Sequence, residues 1–228
     1  MEKLILFIVI TYLFYCIVPT FYHKWLPTKA IKYLANKNDI ALTFDDGIDS
    51  IYTNQLLDLL YQYHIKATFF IVAKTIDENG EIIKRMIKEG HTVGLHSLEH
   101  KNALFHGYFY TKKDFEMSMS IMKKHGLHIR YFRPPWGHVN LFTLKYIKKY
   151  NLDFILWNVM VGDWKKSSTT KDITERLIKK ARKGSIICLH DGRGRDKAPK
   201  RTIEALESAI PCLQSRGFNF VTLEEING

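Results

Sequence analysis

Between residues 40 and 222 the chain alternates short runs of β-branched and aromatic residues with longer stretches whose apolar positions fall three and four apart. The strand-like runs are 40–44, 67–72, 92–95, 129–132, 154–157, 185–189 and 218–222. Between them lie helical patterns such as Leu56, Leu57 and Leu60, then Phe115, Met119 and Met122, and last Ile203, Leu206 and Ile210. Strands joined through helices run parallel, because each crossover returns the chain to the same end of the sheet. Seven strands and six helices therefore predict an α/β fold around a parallel sheet, either closed as a barrel or open and doubly wound. Gly90, Gly126, Gly184 and Gly217 each follow a helical run where a left-handed cap is needed, and Thr111, Asp114 and Asn140 are candidate N-caps. Pro211 predicts a break in the last helix, since its ring removes a donor and crowds the preceding turn.

The size, 228 residues with 46% hydrophobic content, suits one core and excludes disorder and a disulfide-stapled miniprotein. Lys and Arg outnumber Asp and Glu by 34 to 23, a net charge of +11, all of it beyond residue 22 because Glu2 and Lys3 cancel. Such an excess suits a polyanionic neighbour, but the lysines form no run of five, and no nucleic-acid partner is expected. Nothing in the pattern calls for an obligate protein partner. Cys16, Cys188 and Cys212 have no metal-finger spacing.

Residues 4–18 carry no charge, and the uncharged stretch reaches Tyr22. That length lies between a signal-peptide core and a membrane span. Bulky residues follow it, with no small-residue cleavage site, so residues 1–22 are expected to be an uncleaved membrane anchor or, if cleaved, a secretion signal. Lys24, Lys29 and Lys32 after the segment would by themselves keep the rest in the cytoplasm. Function has to decide the orientation. Residues 23–37 then read as a linker, and 38–228 as the folded domain.

Ionisable residues gather at the ends of the strand runs. Asp45 and Asp46 end the first, His96 the third and Arg133 the fourth; Asp163 follows the fifth, and His190 ends the sixth. In a βα-barrel all these ends face one rim. Asp45 and Asp46 are neighbours on an extended chain, so their side chains diverge and do different jobs. His96 and His100 share a face if a helical turn begins there, and with a carboxylate they would form the open two-His, one-carboxylate site of a hydrolytic metal. Imidazole and carboxylate suit Zn²⁺, and also accept Co²⁺, Ni²⁺ or Mn²⁺. Singly, each motif is a turn or a surface pair; together, at successive strand ends, they read as a site. Cys188 and His190 would also share a strand face, a pair without a third orienting group.

In order and spacing, Thr43–Gly47 (TFDDG), His96–His100 (HSLEH), Arg133–Gly137 (RPPWG), Asp163–Trp164 and Leu189–Asp191 (LHD) resemble the motifs of polysaccharide deacetylases, the fourth carbohydrate esterase family. The resemblance covers about residues 38–226 and implies a distorted seven-stranded βα-barrel preceded by the hydrophobic helix. It implies Asp46, His96 and His100 as metal ligands, Asp45 as general base, Arg133 as its orienting partner, His190 as general acid and Asp163 as the carboxylate that tunes it. It further implies that the backbone N–H of Trp136 faces the oxyanion, that Trp164 walls the sugar groove, that Leu189 lines the acetyl pocket and that Ser97 steadies the histidine loop. Ile48 replaces the usual proline, and Met160 stands where an acid is common.

The expected activity is metal-dependent removal of N-acetyl groups from amino sugars of a glycan such as peptidoglycan or a chitin-like oligomer, outside the membrane. An O-acetyl esterase acting on a polymer such as acetylxylan would use the same residues. An inactive, membrane-anchored glycan-binding protein would have lost a ligand or His190, and neither is lost.

Overall fold

The computed structural model describes every residue except Lys37, Arg195 and residues 225–228, so the expected ends of the linker and of the domain lie outside the described residues. An N-terminal helix comprises α1 (Glu2–Tyr12), a π-helical turn (Leu13–Ile17) and α2 (Val18–Trp25). Then follow β1 (Asp39–Asp45), α3 (Tyr52–Gln62), β2 (Thr68–Ile71), α4 (Gly80–Lys88), β3 (Thr92–Leu95), α5 (Tyr108–Lys124), β4 (Tyr131–Phe132) and α6 (Leu141–Lys149). The chain ends with β5 (Asp153–Phe154), β6 (Val159–Met160), α7 (Thr170–Lys180), β7 (Ser185–His190), α8 (Ala198–Ser215) and β8 (Asn219–Phe220).

The strands are parallel in the order β5-β4-β3-β2-β1-β7-β6, with β8 added to the start of β1. The run expected as one strand over 154–157 is split, β5 ending at Phe154 and β6 starting at Val159. These two pieces stand at opposite edges of the sheet yet are joined by residues 155–158, so the sheet curls until a bent segment closes it. That is a distorted seven-stranded barrel, not an open sheet. The stretch expected as a linker is sewn into this seam. The Ile31 N–H donates to Phe154 O (2.8 Å), Leu156 N–H to Ile31 O (2.8 Å) and Leu34 N–H to Gly184 O (3.0 Å), while Ala30 and Leu34 are buried.

Strand alternation sorts the side chains. β1 pairs Thr43 with Cys188 and Asp45 with His190, which puts these residues with Ala41, Phe70, Tyr131 and Ile186 inside the barrel. Ile40, Leu42, Phe44, Ile187 and Leu189 point outward against Leu56, Leu60, Leu206 and Ile210 of the helices. Each such buried side chain contributes about 1.5–3 kcal/mol, so the larger outer core holds the frame while the inner face is free to carry polar groups.

Asn140 caps α6 with a reciprocal capping box, and Gly90, Gly126, Gly184 and Gly217 all take positive φ. Thr111 and Asp114 are not caps. The helix α5 begins earlier, at Tyr108, and Asp114 instead reaches sideways to accept the Leu98 N–H at 2.8 Å. Nor does Pro211 break α8, which is continuous through it. The carbonyl that Pro211 leaves without its helical donor is that of Glu207, and the Tyr63 hydroxyl donates to it at 3.3 Å.

The helix Glu2–Trp25 is long and apolar enough to cross a membrane by length and composition. Its first half is exposed, but from Tyr15 onward it lies on the barrel. The Tyr15 hydroxyl donates to His106 O (2.7 Å), Cys16 is buried, and Thr20 both donates to Val139 O (2.8 Å) and accepts its N–H (3.0 Å). Packing thus begins at Tyr15, inside the segment expected as an anchor.

Candidate active site

The inward alternation of β1 delivers Asp45 to the barrel rim, where Arg133 at the end of β4 meets it. Arg133 is fully buried; its Nη1 donates to Asp45 Oδ1 and to Thr43 Oγ1, both at 2.7 Å, and its Nη2 to Leu156 O at 3.2 Å. Its guanidinium lies 4.1 Å from the centroid of the Phe70 ring. A rigid, permanently charged fork in such a slot fixes the carboxylate's position. The Cys188 thiol, raised well above its usual range by burial, donates to Asp45 Oδ2 at 3.4 Å.

Asp46 turns away through a left-handed backbone (φ 72) toward two imidazoles. Its Oδ1 lies 2.9 Å from His100 Nε2 and 3.4 Å from His96 Nε2. The other ring nitrogen of His96, Nδ1, lies 2.7 Å from Arg133 O, an atom that can only accept. That contact places a proton on Nδ1 and, in the neutral ring, a bare lone pair on Nε2 facing a carboxylate. Asp46 Oδ1 is buried and has no satisfied hydrogen bond. Burial alone would raise the Asp46 carboxyl, but His100 and His96 hold it well below the usual carboxylate range.

The histidines do not share a helical turn. Residues 96–100 form a loop with left-handed Ser97 (φ 74) and His100 (φ 55), closed by the His100 N–H donating to Ser97 Oγ at 2.9 Å. Asp114 anchors the same loop through Leu98, and burial pushes its carboxyl up to about 6.

Opposite, His190 ends β7 against fully buried Asp163. The His190 backbone N–H donates to Asp163 Oδ2 at 2.8 Å, and its Nδ1 lies 3.1 Å from Oδ1. Burial would lower this imidazole, but the Asp163 charge outweighs it and pushes it up to about 9. Gly47, after Asp45 and Asp46, and Gly192, after His190 and Asp191, let the loops touch. A Cβ on Gly47 would sit 2.5 Å from Asp191 Oδ2, and one on Gly192 would sit 2.4 Å from Asp46 O. Asp191 is itself buried and pushed by that burial up to about 7, with the Thr53 hydroxyl donating to it at 2.6 Å.

These groups surround one cavity of about 590 Å³. Asp45, Asp46, His96, His100, Trp136, Trp164 and His190 line it, while Arg133 and Asp163 lie behind it holding Asp45 and His190. Leu189 is the exception among the expected residues: one position from His190 on a strand, it points into the sheet–helix core, and the inward neighbour on the cavity wall is Cys188. The period of two counted back from His190 carries that signal. Trp157, His138 and Lys24 also line the cavity, and Lys24 had no signal, because its segment read as separate from the domain.

Residues 32–155 match the family profile for polysaccharide deacetylases. A peptidoglycan-N-acetylglucosamine deacetylase of Bacillus cereus is 35% identical over 193 residues, which cover 84% of this chain and 89% of the relative. A solved peptidoglycan N-acetylglucosamine deacetylase, in complex with a naphthalenyl N-hydroxybenzamide, superposes with a TM-score of 0.81 at 30% identity, covering 89% of this chain and 97% of the other. A family 4 acetyl xylan esterase from Clostridium thermocellum, in complex with cobalt, gives 0.73 at 35% identity over 82% of this chain and 89% of the other. With motifs at successive strand ends converging on one cavity and a profile match over more than half its length, the chain belongs to the polysaccharide deacetylase family.

Proposed function

We propose that the chain removes N-acetyl groups from amino sugars of a glycan, with peptidoglycan as substrate, a divalent cation as cofactor and its N-terminal helix holding the domain outside a membrane. The observation that carries this reading is the opposition of two unlike sets across one cavity: Asp46, His96 and His100 on one side, His190 with Asp163 on the other, and Asp45 between them.

The first set fits a cation. One ligand atom from each of its three residues lies within 4.8 Å of the others, Asp46 Oδ1 is buried and orphaned, and the mixed nitrogen and oxygen donors suit Zn²⁺, with Co²⁺, Ni²⁺ and Mn²⁺ as alternatives. When bound, such a cation supplies Lewis acidity that polarises the acetyl carbonyl and acidifies the attacking water. Asp45 takes the proton of that water through Oδ2 while Arg133 holds Oδ1. The backbone N–H of Trp136 serves the developing oxyanion, and the Trp136 and Trp164 rings wall the sugar. An amine leaves only as its protonated form, so His190, kept cationic at neutral pH by Asp163, gives a proton to the departing nitrogen.

The test is acetate release by the full-length chain in detergent, from N-acetylglucosamine oligomers and from purified peptidoglycan, with chelator and with Zn²⁺ restored. Release that the chelator stops and Zn²⁺ restores is expected. Release from acetylxylan alone would favour the ester reading, which the likeness to the acetyl xylan esterase supports. Cleavage of the domain by protease in intact cells is expected; complete protection would overturn the outward orientation.

A further inference from the structure

Along the barrel seam, beside the catalytic cavity, runs a larger groove of about 790 Å³. Its walls carry five cations, Lys24, Lys32, Lys179, Lys180 and Arg182, and no acidic residue. None of the five has a salt-bridge partner among the described residues. Two are fixed by carbonyls that leave their charge uncompensated. Lys32 Nζ donates to Lys24 O (3.1 Å) and Leu26 O (2.7 Å), and Lys180 Nζ donates to Met160 O (3.0 Å). The groove shares Lys24, Trp157 and Met160 with the catalytic cavity, so the two adjoin across these three side chains.

We propose that this groove binds the carboxylate-bearing part of an acidic glycan whose acetamido group sits in the catalytic cavity. The inference rests on the function proposed above and deepens it, by assigning a place on this chain to the anionic substituents beside the reacting sugar. Unpaired cations in a concave wall focus potential on an anion more strongly than the same charges on a convex surface. A lipid headgroup is the poorer fit. The helix is docked from Tyr15 to Lys24, which at the rise of an α-helix sets the groove about 14 Å beyond the first docked residue. That exceeds the roughly 8 Å over which headgroup charge acts at physiological salt.

The experiment compares the full-length chain in neutral detergent with the triple variant Lys179→Gln, Lys180→Gln, Arg182→Gln, all three positions exposed and outside the catalytic cavity. Four probes are used: neutral N-acetylglucosamine oligomers, soluble peptidoglycan strands with free carboxylates, the same strands with the carboxylates converted to amides, and anionic phospholipid vesicles. Both Kd by titration and KM with kcat by acetate release are measured. For the free-acid strands, the variant is expected to raise Kd and KM about tenfold with kcat unchanged, leaving neutral and amidated probes unaffected. Added salt should erase the difference between proteins. Equal Kd for the acid strands in both proteins would overturn the groove, whatever the turnover. So would wild-type protein binding acid and amidated strands alike, or a variant that loses only its affinity for anionic vesicles. Groove-dependent binding without acetate release would leave the groove standing and refute the deacetylation reading instead.

Discussion

The two sides of the catalytic cavity are built on opposite principles. On the β1–β3 side, three donor atoms of a cation site converge: a buried carboxylate oxygen faces the Nε2 atoms of two imidazoles, one of which has its proton held on the far side by Arg133 O. On the β7 side, His190 and Asp163 complete each other, with two hydrogen bonds and opposite charges in one buried pair. The first side gathers donor atoms that suit a cation, and the second is balanced within itself. Damage to the first should therefore read out as lost cation, and damage to the second as a displaced pH profile.

Asp46→Ala is the largest break. It removes the only carboxylate of the three-residue set, so metal content by elemental analysis is expected to drop to background and kcat/KM to fall about 10³-fold or more, the several kcal/mol that a Lewis acid supplies. Asp45→Asn is the contrast that sharpens it. Its hydrogen-bond partners are Arg133 and Cys188, and it meets the ligand set only at 4.0 Å from His96 Nε2, so the metal should stay while kcat falls about 10²- to 10⁴-fold. Metal lost equally from both variants would mean that the neighbouring carboxylates are not divided as proposed.

Asp163→Asn tests the other side. His190 acts as an acid and is pushed up to about 9, so activity that needs its proton is full below that value and is lost as pH rises through it. Removing the Asp163 charge leaves burial, which lowers the imidazole, opposed only by the weaker pull of Asp46 and Asp45, so the alkaline limb of the profile should move to lower pH and kcat at pH 8 should fall about 10²-fold. Metal content should not change. An alkaline limb that stays in place would separate His190 from the acid role.

Much of this division was legible because chemistry-bearing residues end strands, and parallel βα topology sends every strand end to one rim; Asp45, His96, Arg133 and His190 needed only that rule. What escaped depended on information that local pattern does not hold. The His96–His100 loop is shaped by left-handed Ser97 and His100, residues without the usual glycine signature, and by Asp114 from a distant helix. Pro211 stays helical because Tyr63, far away in sequence, supplies the missing donor. Lys24 reaches the cavity because the end of an apolar segment, readable as pure anchor, docks through Thr20. Leu189 was a slip of one residue, enough on a strand to exchange the cavity for the outer core.

That slip leaves Cys188 as the smallest and sharpest probe of the comparison. It sits on the seam between the two sides: its Sγ donates to Asp45 Oδ2, and it shares the inner strand face with His190. If the thiol were a nucleophile with His190 as its base, Cys188→Ala would abolish turnover. Two features oppose that. Burial raises the thiol well above its usual range, so almost no thiolate exists at neutral pH, and His190 is committed to Asp163 and cationic, hence unable to accept a proton. A thiol is also a weak donor to Asp45, whose position is already fixed by Arg133. Cys188→Ala is therefore expected to retain its metal and to change kcat by less than about threefold, because the bond it removes is worth only a fraction of a kcal/mol. A loss as large as that of Asp45→Asn would make the thiol part of the chemistry and join the two sides into one.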